Sequence, residues 1–149
     1  MSPKLQERID QYELAVAFAR EFIEELGEER ALPIIRRAHE KRMAKLGREL
    51  AQQLGSNTVE AMAEHCRRQA AESDHMEVLE VTDKHVALKI SRCNSWEAYK
   101  ELGAPELCRC YCSSDDTYIK AFNPNMRLIR TQTLADGDSC CDHIWALGE

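Results

Sequence analysis

Apolar residues recur every three to four positions over the first half of the chain and every two positions in parts of the second. Over residues 4–26, Ile9, Tyr12, Val16, Ala19, Ile23 and Leu26 form one stripe, which predicts a helix. Ser2-Pro3 supplies an N-cap and a first-turn proline, and Gly27 a stop. A second helix is predicted over 29–53, with Ile35, His39, Met43, Leu46, Leu50 and Leu54 on one face. Glu28 and Glu29 favour its positive end, Pro33 is read as a first-turn proline, and Gly55 closes it. His39 on that stripe reads as a core or boundary histidine. Asn57 and Glu60 have capping-box spacing and open a third helix, with Val59, Met62 and Cys66 facing inward. It fades between Glu72 and His75.

The period then shortens. Met76–Thr82 and His85–Cys93 alternate at period two around Asp83-Lys84, which predicts a hairpin with Val86, Leu88 and Ile90 on one face. A short helix follows over Ser95–Leu102, and another runs from Pro105 to about Phe122. Asn123-Pro124-Asn125 is a turn signal. Met126–Ala135 reads as a strand with Met126, Leu128, Arg130, Gln132 and Leu134 on one face. Asp136-Gly137-Asp138 turns the chain into a last strand over Cys140–Leu147, where Cys141, His143, Trp145 and Leu147 share a face. This order predicts an α+β fold, with N-terminal helices packed on an antiparallel sheet built from two β-hairpins with two helices between them. A single domain over 1–149 is expected, helical over 1–75 and sheet-bearing over 76–149.

Composition narrows the function. The 149 residues are 44% hydrophobic and 31% charged, enough for a core and an ordinary soluble surface. A net charge of -6 argues against nucleic acid or an anionic membrane as partner. Arg36-Arg37 and Lys41-Arg42 are interspersed with acids and read as a solvated helix face. No stretch resembles a signal peptide or a membrane span, so a cytoplasmic protein is expected. Phe18 and Phe22 lie off the main stripe of the first helix. They either offer an edge for a homodimer or widen the core stripe, and the second is the expectation.

Seven cysteines are many for a reducing compartment, and the odd count disfavours a disulfide framework. Cys108, Cys110 and Cys112 look like a metal motif, but residues two apart on a helix point to different sides. Cys108 and Cys112 share a face, and Asp115 or Asp116 joins Cys112 on it. A thiol beside a carboxylate can be a nucleophile with an acid/base partner, provided a cation or donor offsets the carboxylate's effect on the thiol. The alternative is that Cys108 and Cys112 pack in the core and the acids are solvated. Arg130, on an apolar face, needs an anion: Asp115, Asp116 or a substrate carboxylate. Cys141 and His143 share a strand face. A zinc site would have to gather Cys93, Cys112, Cys141 or His143 from separate elements, and no paired Cys-x-x-Cys spacing is present. Zinc is thus a cofactor the donors allow, with no ligand set assigned.

Taken in order, Arg92-Cys93, Leu107–Asp115, Phe122-Asn-Pro124, and Leu128-Ile-Arg-Thr-Gln-Thr continuing through Gly137 to Cys141-Asp142 resemble the L-2-amino-thiazoline-4-carboxylic acid hydrolase family. The motifs span roughly residues 90 to 145. The resemblance implies hydrolytic opening of a small cyclic isothiourea carboxylate. It implies Cys93, Cys112, Asp115, Arg130 and Cys141 as the functional positions: Cys112, Asp115 and Cys141 are read as catalytic, and Arg130 and Cys93, with Asn123 and His143 added as further candidates, as substrate-binding. In that reading Arg130 holds the substrate carboxylate, the Cys112 thiolate attacks the ring carbon and Asp115 moves protons. His143 stands where the family pattern has an aromatic residue such as phenylalanine. The ending from Gly137 to Cys141 is also similar to small-molecule-sensing domains of the vinyl-reductase type, some of which hold zinc through cysteines. That similarity implies a non-enzymatic sensor as the alternative function.

Overall fold

The computed structural model describes residues 1–148. Helix α1 (Pro3–Leu26) starts where Ser2 Oγ accepts the Leu5 N–H, and Gly27 separates it from α2 (Glu28–Leu54). Pro33 falls in the second turn of α2 rather than its first, where it forgoes one backbone bond to Glu29. Helix α3 (Val59–Ala71) is capped by Thr58, whose Oγ1 accepts the Ala61 N–H. The expected Asn57–Glu60 box is therefore displaced by one residue. A threonine three residues before a free N–H caps equally well, and Asn57 instead lends its carbonyl to Asn123.

Strands β1 (Met76–Val81) and β2 (His85–Ile90) form the first hairpin. Strand β2 stops three residues before Cys93, which becomes the N-cap position of helix α4 (Asn94–Glu101). The single helix expected over 105–122 is two helices, α5 (Pro105–Cys112) and α6 (Asp115–Phe122). The physical reason lies in two serines. Ser113 Oγ donates to the Cys110 carbonyl at 3.0 Å, and Ser114 Oγ donates to the Tyr111 carbonyl. These side chains take carbonyls that a continuous helix would use, and the chain breaks there.

Strand β3 (Met126–Ile129) is also shorter than expected. After Ile129 the chain leaves the sheet and makes one 3-10 turn, Leu134–Asp136, capped by Thr133. Strand β4 (Cys141–Leu147) then runs back between β2 and β3, so that the sheet order is β1-β2-β4-β3, all antiparallel. The α+β class holds, with three helices rather than two between the hairpins. No described helix is long and apolar enough to cross a membrane.

Two apolar clusters make the core. One joins α1, the start of α2, α4 and α5, through Tyr12, Val16, Ile35, Tyr99 and Leu107. The other joins the end of α2, α3, α6 and the sheet, through Leu50, Met62, Val86, Leu88, Phe122 and Trp145. Helix α2, about 40 Å long at 1.5 Å per residue, passes through both. Phe18 and Phe22 do not widen the core stripe. They are 57% and 44% exposed and continue the exposed Leu14 along one face. The reason is that α4 and α2 cover α1 only from the side of Tyr12, Val16 and Ala19.

Gly47 sets how closely α2 approaches α6. A Cβ there would collide with the Tyr118 carbonyl oxygen and lie 3.1 Å from Ala121 Cβ. The lack of a side chain outweighs the usual helical cost of glycine, about 1 kcal/mol. Gly47→Ala is expected to lower stability by about 1–3 kcal/mol in urea denaturation, because the obstacle is backbone. A stabilised Gly47→Ala would show that the two helices are free to part.

Candidate active site

The break between α5 and α6 places Arg130 at the junction of three elements. Its Nη1 donates to Asp115 Oδ2 at 2.9 Å, from the first turn of α6. Its Nη2 donates to the Cys112 carbonyl at 3.1 Å, at the end of α5. A cation suits the end of α5, where the helix C-terminus exposes carbonyls, and at the start of α6 it meets the Asp115 carboxylate. The two side chains are only 15% and 14% exposed, so the pair is largely withdrawn from water. The other acid, Asp116, acts elsewhere. Its Oδ1 accepts the Leu128 N–H at 2.9 Å and ties α6 to β3.

Asp142 explains why Arg130 is held so firmly. Its Oδ1 accepts the N–H groups of Thr131 and Gln132 at 2.9 and 2.6 Å, and its Oδ2 accepts the Thr131 hydroxyl. The chain leaving β3 is thereby clamped to β4 directly after Arg130. Desolvation pushes the Asp142 carboxyl up, and these bonds together outweigh it and hold it below the usual carboxylate value. Its role escaped the sequence reading, although Cys141-Asp142 was part of the pattern; Arg-Thr-x-Thr followed by Cys-Asp is the spacing of this clamp.

His143, on β4, turns inward between Leu88 of β2 and the sheet edge, and its ring meets Trp145 edge-on at 5.2 Å. Its Nε2 faces Arg130 Nη1 at 3.4 Å. Burial first, and the guanidinium second, push its pKa down to about 4, so the ring stays neutral and accepts. Asp115 moves the other way. Burial raises its pKa to about 6 against the opposing pull of Arg130. A carboxylate with that value titrates near neutrality, which suits a general base.

The thiols lie around the same arginine. Cys108 and Cys112 sit on one face of α5 with their sulfurs 3.7 Å apart. Cys108 is fully buried and keeps its proton, whereas Cys112 is partly exposed. The Cys108 thiol lowers the Cys112 pKa, opposed by burial and Asp115 and helped by Arg130. The donor and cation that a nucleophilic Cys112 requires are thus both present. Burial raises Cys93, and raises Cys141 to about 11. Cys141 Sγ accepts the Leu134 N–H at 3.3 Å. Among the described residues no three His, Cys, Asp or Glu side chains are close enough to hold a metal ion. The donors as placed do not fit a zinc site.

Asn123 is not brought to this cluster. It caps the far end of α6, about 12 Å along the helix from Asp115. Its amide is spent on the Asn57 carbonyl and the Asn125 N–H.

A cavity of about 460 Å³ lies between α2, α3 and the sheet, and α5 and α6 close one end of it. Asp115 and His143 line that end, beside Tyr111 and Tyr118. Met62, Cys66, Leu88 and Trp145 form apolar wall, and Arg8, Arg42 and His65 are polar wall. Arg130, Cys93, Cys112 and Cys141 are not among the lining residues; they stand behind Asp115 and His143. The cavity residues of α2 and α3 escaped the sequence reading, because their stripes look like ordinary core.

Fold and site together are an α+β domain with a cavity that has the Asp115 carboxylate and the His143 imidazole at one end. The chain belongs to the L-2-amino-thiazoline-4-carboxylic acid hydrolase family, whose family model matches residues 7–145. No curated protein sequence matches. Among solved structures the fold is similar to that of the phenol-responsive sensory domain of the transcription activator PoxR, with phenol. The TM-score is 0.58 at 13% identity, over 91% of this chain and 73% of that one. It is also similar to a trafficking protein particle complex subunit 3 from Naegleria fowleri covalently bound to palmitic acid. There the TM-score is 0.51 at 14% identity, over 93% and 96% of the two chains.

Proposed function

We propose that this chain opens a small cyclic isothiourea or amidine carboxylate by hydrolysis, with Asp115 as the general base. The observation that carries this reading is Asp115 itself, lining the cavity with its pKa raised to about 6. Family membership supplies the substrate class. Asp115 takes a proton from water as the water oxygen bonds to the ring carbon between nitrogen and sulfur. The ring bond to the leaving heteroatom then breaks, and protonated Asp115 returns the proton to that atom. The oxygen stays on carbon as a carbonyl, and its second proton passes to the nitrogen that took up the C=N electron pair. Arg130 keeps Asp115 ionised and aimed, and neutral His143 holds the opposite side.

A second version makes the Cys112 thiolate the nucleophile, and the hydrogen bond from Cys108 favours it. Cys112→Ser separates the two. With water as nucleophile, turnover of L-2-amino-thiazoline-4-carboxylate stays within about tenfold of wild type. A fall to background with an unchanged far-ultraviolet spectrum moves the attack to Cys112.

The alternative is a sensor, supported by the fold shared with a phenol-responsive sensory domain. Purified protein incubated with the aminothiazoline carboxylate tests all of these. Release of product supports the hydrolase. Thermal stabilisation without product supports the sensor and overturns the enzyme reading.

A further inference from the structure

The cavity carries charge in an unusual arrangement for so acidic a chain. Its acidic wall residues are matched with cations: Asp115 with Arg130 at 2.9 Å, and Glu49 with Lys45 at 3.6 Å. Its two arginines are not matched. Arg8 of α1 donates only to the neutral Gln11 side chain, and Arg42 of α2 has no carboxylate within 4.0 Å among the described residues. In a protein of net charge -6, two unmatched, exposed guanidinium groups lining one cavity, one from α1 and one from α2, suit an anion at its mouth. Arg42 belongs to the solvated basic face of α2, is exposed, and lines the cavity at its open side.

The dimensions give the rest of the ligand. The α2 wall runs from Arg42 through Leu46 and Glu49 to Gln53, a rise of about 16 Å along the helix. The volume of about 460 Å³ lies in the range of about 300–1,000 Å³ that drug-sized ligands occupy. A single five-membered ring leaves most of that space unfilled. The wall it would leave bare is apolar: Met62, Leu88 and Trp145.

We propose that the cavity selects amphipathic carboxylates, with Arg42 and Arg8 holding the carboxylate and a body larger than one five-membered ring seated on Met62, Leu88 and Trp145. This inference rests on the cavity being the substrate site. It adds to that reading the anion anchor and the size class of the physiological substrate.

The test is isothermal titration at low salt with indole-3-acetate, its uncharged isostere indole-3-acetamide, and L-2-amino-thiazoline-4-carboxylate. The expected result is that indole-3-acetate binds at least about tenfold tighter than either of the others. Arg42→Gln should cost the acid about tenfold or more and leave the amide within about twofold, and Arg42→Lys should restore part of the loss. Equal binding of acid and amide would overturn the proposal. So would an Arg42→Gln variant that binds the acid as wild type does, or no binding of the acid at millimolar concentration. These outcomes are distinct from failure of the hydrolase reading. Turnover of the aminothiazoline carboxylate with no charge selectivity would remove only the anchor. Charge-selective binding without turnover would remove only the enzyme.

Discussion

Asp115→Asn is expected to lower ring-opening turnover by about two to four orders of magnitude, the usual contribution of a positioned base. Asparagine keeps the shape of the side chain and can still meet Arg130, so the fold should survive. What it cannot do is take a proton from water. The pH profile supplies the second half of the result. The base works only when ionised, and burial has raised its pKa to about 6. Wild-type kcat/KM should therefore rise with pH through about 6 and level off above it. His143, pushed down to about 4, stays neutral across that window and adds no second limb. A wild-type profile flat from pH 5 to 8, or an Asp115→Asn variant with near-normal turnover, would remove Asp115 from the reaction.

Arg130→Met should have the largest effect on stability, about 3–5 kcal/mol, because it leaves a buried carboxylate without its partner. The loss should depend on pH. Both effects of Arg130, its charge and its hydrogen bond, hold the Asp115 pKa down against burial. Without them the folded-state value rises above about 6, further from the usual 3.8. A carboxyl whose folded pKa is raised stabilises the fold below its unfolded pKa, and that contribution is lost as pH rises through the folded value. The variant should therefore be weakest near pH 8 and recover part of its deficit near pH 5, where Asp115 takes up a proton. Urea midpoints at the two pH values measure this. An equal deficit at both would show that Asp115 does not carry the uncompensated charge. Adding Asp115→Asn to Arg130→Met should return part of the stability at pH 8, since the pair is coupled.

The elements were legible to different degrees, for reasons that can be named. The stripe of Ile9, Tyr12, Val16 and Ala19 faces inward, as its spacing requires, because three- and four-residue steps return to one side of a helix. The alternation of Val86, Leu88 and Ile90, and of Cys141, His143 and Trp145, gave the inward face of the sheet for the same kind of reason. Arg130 was legible as an inward cation in need of an anion, and Asp115 was among the partners that helical spacing allowed. The break at Ser113-Ser114 was not legible. It depends on serine hydroxyls taking backbone carbonyls, which many serines in helices do without breaking them. Phe18 and Phe22 could not be assigned to core or surface from α1 alone, since the covering helices decide which side is shielded.

What the sequence by itself determined was the α+β class, most of the elements, the faces they bury and the residues able to do chemistry. Those follow from local periodicity and side-chain type. What only the tertiary structure decided was which of those residues meet. Asp115 and His143 reach the cavity while Cys112 stands behind Arg130, and Arg42, exposed as its helix face predicts, also borders the cavity. That outcome depends on the crossing of α2 over α6 at Gly47 and on β4 inserting between β2 and β3. Both bring together residues far apart along the chain, and periodicity holds no record of such long-range contacts.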